Sequence, residues 1–187
     1  MTSSSSKSSQ QVKAVLDFWF SDHMRSNWYS KDVAIDNEIR EKFEDLYKQA
    51  TAGDLQDWMK EPNSSLALII LLDQFPRNMY RGSPKAFSGD ELAQSYAQQA
   101  LNVSHDAKLN AEERGFLYHP FMHAENVKLQ EKSVQLYSQP GQEDTYMYAV
   151  EHADIVKRFG RFPHRNEQLK RESTPEEIDF LKEHPGF

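Results

Sequence analysis

The sequence predicts an all-α protein of about seven to eight helices of moderate length joined by short connections. Apolar residues recur at helical spacing in several stretches, for example residues 11–20 and 32–50. Residue types that cap helices stand at the ends of such stretches. No stretch alternates between apolar and polar residues as a half-buried strand does. With 187 residues, the chain can bury a substantial core as one domain without disulfides or metals.

The first predicted helices lie in the N-terminal third of the chain. Residues 11–20 place apolar side chains on one face. The helix over residues 32–50 begins at Asp32, a residue type favoured at the N-cap. Gly53 follows as the expected stop.

A central helix is predicted over residues 65–75, which are apolar on every face. Pro76 should end or kink this helix, because proline lacks a backbone donor and restricts the residue before it. Next, Ser88 is expected to cap a helix that runs to about Leu101.

Capping patterns mark the helices of the C-terminal half. Asn110 and Glu113 resemble a capping box for a helix that meets Pro120. An amphipathic segment over residues 122–137 follows. A helix over residues 143–159 then ends at Gly160. The last helix has Thr174 as N-cap, Pro175 at its first position and Glu177 at its third.

Composition excludes several classes of function. The net charge of −7 argues against non-specific nucleic-acid binding, which depends on basic residues. The absence of cysteine excludes disulfides, zinc–thiolate sites and a cysteine nucleophile.

Residues 1–10, "MTSSSSKSSQ", have no apolar segment of a signal peptide and are expected to form a disordered tail before a single domain over residues 11–187. The longest apolar run, Leu66–Leu72, is too short to cross a bilayer. We therefore expect a cytoplasmic or nucleocytoplasmic protein with no membrane or nucleic-acid partner.

Asp73 stands in an apolar stretch, and a buried carboxylate needs a partner. Arg77, after the proline, is a plausible one. The pair is interpreted either as a structural ion pair at a helix end or as an anion ligand, Arg77, held in place by Asp73.

His119 and His123 are four residues apart, a spacing that lets two histidines on a helix share a metal ion. Pro120 lies between them and occupies the position of the glutamate in the metalloprotease pattern. We therefore predict no metal site, and the sequence names no cofactor. Each histidine is expected either to be a hydrogen-bonded core or surface residue or to face a pocket, and Glu125 after them is a further candidate to face that pocket.

The stretch "RFGRFPHRN", residues 158–166, concentrates hydrogen-bond donors beside two phenylalanines. Arginine suits carboxylates and phosphates, and His152 or His164 would serve as acid or base near neutral pH. The alternative is a loop tied down by its arginines. The echo between "FPRN" at 75–78 and "FPHRN" at 162–166 arises either by chance or from related helical hairpins.

The segments "VLDFWF", "LALIILLDQFPRNMYRG", "ERGFLYHPFMHAE" and "RFGRFPHRNEQLKRESTPEEIDFL" resemble the DUF924 family of proteins of unknown function. The resemblance runs from about residue 12 to residue 182. It implies an all-helical, tetratricopeptide-repeat-like array of antiparallel hairpins and carries no established activity. It also implies a recurring polar set, which here comprises Asp73, Arg77, Asn78, His123, Glu125, Glu131, His152, Arg158, Arg161, His164, Arg165 and Asn166.

Three hypotheses about function follow. In the first, the protein binds an anionic metabolite bearing a phosphate or carboxylate. The residues assigned to binding are Arg77, Asn78, Arg158, Arg161, Arg165 and Asn166, and those assigned to proton transfer are Asp73, His123, Glu125, His152 and His164. In the second, a concave helical surface binds a peptide or protein partner. In the third, the polar set is an internal network that fixes helix packing.

Overall fold

The structure, a computed structural model, describes residues 2–184 and shows nine α-helices within them. The helices are Thr2–Trp19 (α1), Asp22–Arg25 (α2), Val33–Ala52 (α3), Pro62–Met79 (α4), Asp90–Asn102 (α5), Ala111–Met122 (α6), Val127–Tyr137 (α7), Glu143–Phe159 (α8) and Pro175–Glu183 (α9). Four short 3₁₀ turns are Gln56–Lys60, Pro84–Phe87, Asp106–Lys108 and Pro163–Arg165. Residues 2–184 contain no β-strand, so the predicted all-α class is confirmed.

Helix α4 forms the centre of the fold, as its apolar sequence predicted. It packs against α1, α3, α5 and α6, and residues 65–73 are all buried. The pairs α3–α4, α4–α5, α5–α6, α6–α7 and α7–α8 each pack together. Packing of consecutive helices in this way agrees with a tetratricopeptide-repeat-like array.

Helix α1 begins at Thr2, although we expected residues 2–10 to be a disordered tail. Residue 1 lies outside the described residues. Serine is only a moderate helix former, but extending an existing helix costs far less than starting one. The inward-facing residues further along the helix, Val15 and Trp19, are buried and hold it on the core.

Both internal prolines lie inside helices, so Pro76 does not end its helix, which was one of the two outcomes that we expected. Helix α4 continues past Pro76 to Met79, and α6 continues past Pro120 to Met122. Proline at position 76 removes the donor that would otherwise bond the carbonyl of Leu72. Gly89 packs directly against that carbonyl, since a Cβ at Gly89 would lie 2.3 Å from its oxygen. Tertiary packing therefore overrides the local effect of proline.

Three of the predicted helix caps are confirmed. The side chains of Asp32, Asn110 and Thr174 each accept a hydrogen bond from a backbone N–H of the following helix, and the last two form capping boxes. Gly53 and Gly160 end α3 and α8 in the left-handed conformation.

The prediction for Ser88 was wrong, because Gly89 occupies the N-cap of α5. The Ser88 hydroxyl instead donates to the carbonyl of Lys85 at 2.8 Å and lies 2.8 Å from the Tyr47 hydroxyl. The segment predicted over residues 122–137 is also shorter than expected, since α7 begins after Asn126, which caps it.

The buried apolar residues form two separate clusters. The main core joins α1 and α3–α7, with Ala149 from α8. A small second cluster contains Ile155, Val156 and Phe162, with Phe159 and Phe180 packed against it. Within residues 2–184, no helix combines the length and the apolar character that a bilayer span requires.

Candidate functional site

Asp73 lies at the centre of a buried polar cluster, which we define as Asp73, Arg77, Asp90, His123 and Arg165. Its side chain is 1% exposed. Burial alone would raise the pKa of this carboxyl group, but the charge of Arg77 and a hydrogen bond from His123 hold it below its usual range. The Gln74 side-chain amide also donates to Asp73 Oδ2 at 2.6 Å. Asp73 is therefore an ionised carboxylate inside the protein.

The contact between His123 and Asp73 fixes the state of the imidazole ring. Nδ1 of His123 lies 2.9 and 3.0 Å from the two carboxylate oxygens. Because an ionised carboxylate only accepts hydrogen bonds, Nδ1 carries the proton. Burial and the charge of Arg77 lower the pKa of His123 well below its usual value. A neutral ring with a protonated Nδ1 has its lone pair on Nε2, and no hydrogen bond among the described residues engages that atom.

Arg77 links the two carboxylates of the cluster. It donates two hydrogen bonds to Asp90, at 2.8 and 3.0 Å, and lies 3.3 Å from Asp73 Oδ1. Helix α4 places Arg77 one turn after Asp73, and the start of α5 places Asp90 opposite. The sequence therefore predicted the Asp73–Arg77 pairing correctly, but it did not indicate Asp90 as a second partner of Arg77.

Arg165 reaches the cluster from the turn Pro163–Arg165. Its guanidinium donates to the carbonyl of His123 at 3.0 Å and lies 3.5 Å from Asp90 Oδ2. The rings of Phe87 and Phe162 stack on it, with centroids 4.6 and 4.5 Å away. Burial and the charge of Arg77 lower the pKa of Arg165 to about 10. Its Nε is buried and has no hydrogen-bond partner among the described residues.

Three more histidines surround the cluster. His119 stacks on Phe116, and its Nδ1 lies 2.8 Å from the carbonyl of Gly115. Burial lowers the pKa of His119. Burial also lowers the pKa of His152 and of His164 to about 4 each, and the charge of Arg165 adds to both shifts. All three rings are therefore neutral at pH 7.

The remaining predicted arginines do not join this cluster. Arg161 forms two hydrogen bonds with Glu177, at 2.7 and 2.9 Å, and Arg158 forms an exposed ion pair with Glu176. The hydrogen bonds of Arg161 lower the pKa of Glu177 to about 2. These two arginines fasten α9, as the alternative of a loop tied down by arginines predicted.

Glu125, Asn78 and Asn166 also have structural partners. Glu125 accepts two hydrogen bonds from Arg171, at 2.6 and 2.8 Å. Asn78 donates to Asp36, and Asn166 donates to Glu177 and to Ser173. These contacts occupy the three side chains that we had assigned to proton transfer or to ligand binding.

The two halves of the sequence echo differ in local structure, since residues 75–78 are helical and residues 162–166 span a 3₁₀ turn. Their arginines nevertheless meet, because Arg77 and Arg165 both contact Asp90. The two copies of the motif therefore place their arginines at one site, although their backbone conformations differ.

Two surface depressions in the described part of the chain lie away from His123. One of about 1050 Å³ runs between α1 and the residues around Trp58, and one of about 230 Å³ lies beside Tyr137. The cluster itself is nearly closed, with side-chain exposures of 15% for His123 and 20% for Arg77. Within residues 2–184, no group of three or more histidine or acidic side chains is arranged to hold a metal ion.

The fold and the site define an all-helical protein with a buried histidine–aspartate pair and two arginines that share a carboxylate. The sequence profile of the DUF924 family, described as a bacterial protein of unknown function, matches residues 15–185, and the chain belongs to this family. It is similar to the structure of ATU0120 from Agrobacterium tumefaciens, a protein of unknown function, with 40% identity and a TM-score of 0.90. That similarity covers 94% of this chain and 99% of that chain. No curated protein matches the sequence.

Proposed function

We propose that the protein is an enzyme that acts on a small anionic metabolite, bearing a phosphate or a carboxylate, with His123 as the general base. The observation that carries this proposal is the contact of His123 Nδ1 with both oxygens of the buried Asp73 carboxylate, at 2.9 and 3.0 Å. A carboxylate in this position holds the imidazole in one tautomer and stabilises the imidazolium that forms when Nε2 takes a proton.

His123 is neutral at pH 7, as a general base must be before it accepts a proton. Burial and Arg77 keep the ring neutral at pH 7, so that Nε2 is ready to accept a proton. Once the ring is protonated, Asp73 lies within hydrogen-bond distance to compensate the new charge. The ring is also fixed in place, because Gln74 and Arg77 hold the carboxylate that orients it.

The anionic part of the substrate is assigned to Arg77 and Arg165. Both are cationic and contact the carboxylate of Asp90, and Arg77 also lies 3.3 Å from the carboxylate of Asp73. Arginines in a water-poor environment stabilise a phosphate, a carboxylate or a negative charge that develops in a reaction. Arg77 is the more accessible of the two, at 20% side-chain exposure. Peptide binding through Arg165 has less support, because this residue is only 6% exposed.

A thermal-shift screen against phosphorylated and carboxylated metabolites tests the binding step. We expect at least one such compound to raise the melting temperature of the wild type, because a ligand that binds only the folded state stabilises it. The shift should fall strongly in Arg77→Lys, which keeps the charge but loses the two-pronged contact with Asp90. Arg158→Ala is the matched control, because Arg158 forms an exposed pair away from the cluster and should leave the shift unchanged.

Compounds that bind are then assayed for turnover with wild type and His123→Asn. We expect the variant to keep binding and to lose about 100-fold or more in rate, the usual contribution of a general base. An unchanged rate in His123→Asn would remove the catalytic assignment. A screen without any hit that depends on Arg77 would count against the anion site.

A further inference from the structure

Residues 160–183 lie across the polar cluster, and we call this segment the C-terminal strap. The strap begins at Gly160, whose φ of 74° places it in the left-handed region, and ends with α9. Between them, Arg165 contacts the carbonyl of His123 and the carboxylate of Asp90. The strap therefore forms part of the wall that leaves His123 only 15% exposed.

Little apolar surface attaches the strap to the rest of the protein. Phe162 packs on Ile155 and Val156 of α8, and Phe180 lies 5.1 Å from Phe159. This cluster has no residue in common with the main core. Helix α9 packs chiefly against the turn Pro163–Arg165, which belongs to the strap itself.

Ion pairs provide much of the attachment, and one of them is the exposed pair between Arg158 of α8 and Glu176 of α9. Glu125, in the connection between α6 and α7, accepts two hydrogen bonds from Arg171 and one from the backbone N–H of Phe162 at 2.7 Å. Glu125 and Arg171 are each 23% exposed, so solvent ions reach this pair.

Further contacts hold the strap together internally. Arg161 donates twice to Glu177, and Asn166 links the Glu177 carboxylate to the Arg171 guanidinium. Both ends of these contacts lie within the strap. They would therefore survive if the strap left the cluster, so it can move as one body.

We propose that the C-terminal strap is a gate, which turns about Gly160 to admit the substrate to His123 and is fastened by the Glu125–Arg171 ion pair. The identity of the substrate that enters rests on the proposed function, whereas the movement of the strap does not depend on it. Gly160 suits a hinge, because open space surrounds it and a glycine adopts many backbone conformations. Opening would separate Arg165 from Asp90 and uncover the cluster.

Single cysteines can report the opening, because the chain has no cysteine of its own. Val156→Cys places a thiol beneath Phe162 at a position that is 0% exposed. Ser133→Cys is the control, since Ser133 is also 0% exposed, lies on α7 outside the strap, and its hydroxyl has no hydrogen-bond partner within residues 2–184. The measurement is the reaction rate of each thiol with DTNB in 0.05 M and 1 M NaCl. We expect the higher salt to speed the reaction at position 156 at least about threefold, because it screens the ion pair, and to leave position 133 unchanged.

A charge variant tests the fastening directly. In the Val156→Cys background, Glu125→Gln should speed the reaction about fivefold, as the loss of a partly exposed ion pair predicts. Glu112→Gln, which breaks the exposed two-pronged pair with Arg25, should have no effect.

Equal acceleration at positions 156 and 133 would indicate global unfolding and overturn the gate. The gate would also be overturned if neither the higher salt nor Glu125→Gln changed the rate at which the thiol at position 156 reacts. A strap that opens as expected in a protein that binds no anionic metabolite would refute the proposed function alone.

Discussion

The residue that does most to define the cluster is Asp73, because it is a charge in a position where the helix is otherwise apolar. His123, Arg77 and Gln74 satisfy its oxygens, and its ionised form is stabilised despite complete burial. The sequence indicated that Asp73 needs a partner and named Arg77. It named His123 as a candidate but did not indicate that this residue, 50 positions further along the chain, is the second partner of Asp73. Only the packing of α6 on α4 brings the two side chains together.

At this scale we predict that stability falls between pH 6.5 and pH 4. In the folded protein the pKa of both His152 and His164 is lowered to about 4 from an ordinary value of 6.5. Arg165 and Arg77 face His152, and Arg165 and Arg171 face His164. In this window the unfolded chain binds protons that the folded chain does not, so the stability present above pH 6.5 is lost as the pH falls.

Urea unfolding at several pH values between 7.5 and 4 measures this loss. The double variant His152→Gln/His164→Gln should show a shallower slope, because it removes two of the groups whose protonation favours the unfolded chain. His119 and His123, whose pKa values are also lowered, keep part of the slope. A double variant with the slope of the wild type would show that these two rings are protonated in the folded state.

At the scale of single helices, sequence patterns predicted most of the structure. Apolar spacing and capping residues located α3, α6, α8 and α9. They failed at Pro76, Pro120 and Ser88, where contacts between helices determine the outcome. The sequence shows which backbone donor a proline removes. It does not show which residue packs against the carbonyl that loses this donor. For Pro76 that neighbour is Gly89, which comes from the start of another helix.

This packing predicts that Gly89→Ala destabilises the fold by roughly 3 kcal/mol, because the new methyl group collides with the backbone of α4. The backbone of Gly89 has an ordinary φ of −92°, so the conformation itself tolerates alanine. Gly115→Ala is the matched control: its Cβ would meet only the end of the Gln142 side chain, at 3.1 Å. Alanine also favours a helix by about 1 kcal/mol over glycine. Urea denaturation of both variants compares them, and equal stabilities would contradict the close approach at Gly89.

At the scale of the whole molecule, the structure divides into a well-packed centre and a more weakly attached C-terminal strap. Helix α4 is buried on nearly all sides, whereas the C-terminal strap is attached by ion pairs and a small separate cluster. The sequence predicted the fold class and the central helix, since both follow from apolar patterning. It did not predict which arginines form the cluster, because Arg158, Arg161 and Arg165 look alike in sequence and differ only in the carboxylate that each one meets.

The same division predicts the order of amide hydrogen exchange. Amides in residues 66–75 of α4 should exchange most slowly, close to the rate set by global unfolding, because local opening would expose the main core. Amides of α9, and those near the start of α1, should exchange fastest among the helices, since few buried apolar side chains protect them. Exchange followed by mass spectrometry measures this order. Uniform protection along the chain would show that the strap and the core unfold together.

The carboxylate that Arg77 and Arg165 share has a consequence for how the sequence can change over evolutionary time. Replacing Asp90 by a neutral residue would leave two buried guanidinium groups facing each other, and replacing either arginine alone would leave the carboxylate with one partner fewer. Each single step is therefore costly, because it leaves a buried charge with fewer partners. We therefore expect positions 77, 90 and 165 to be retained together among relatives of this protein.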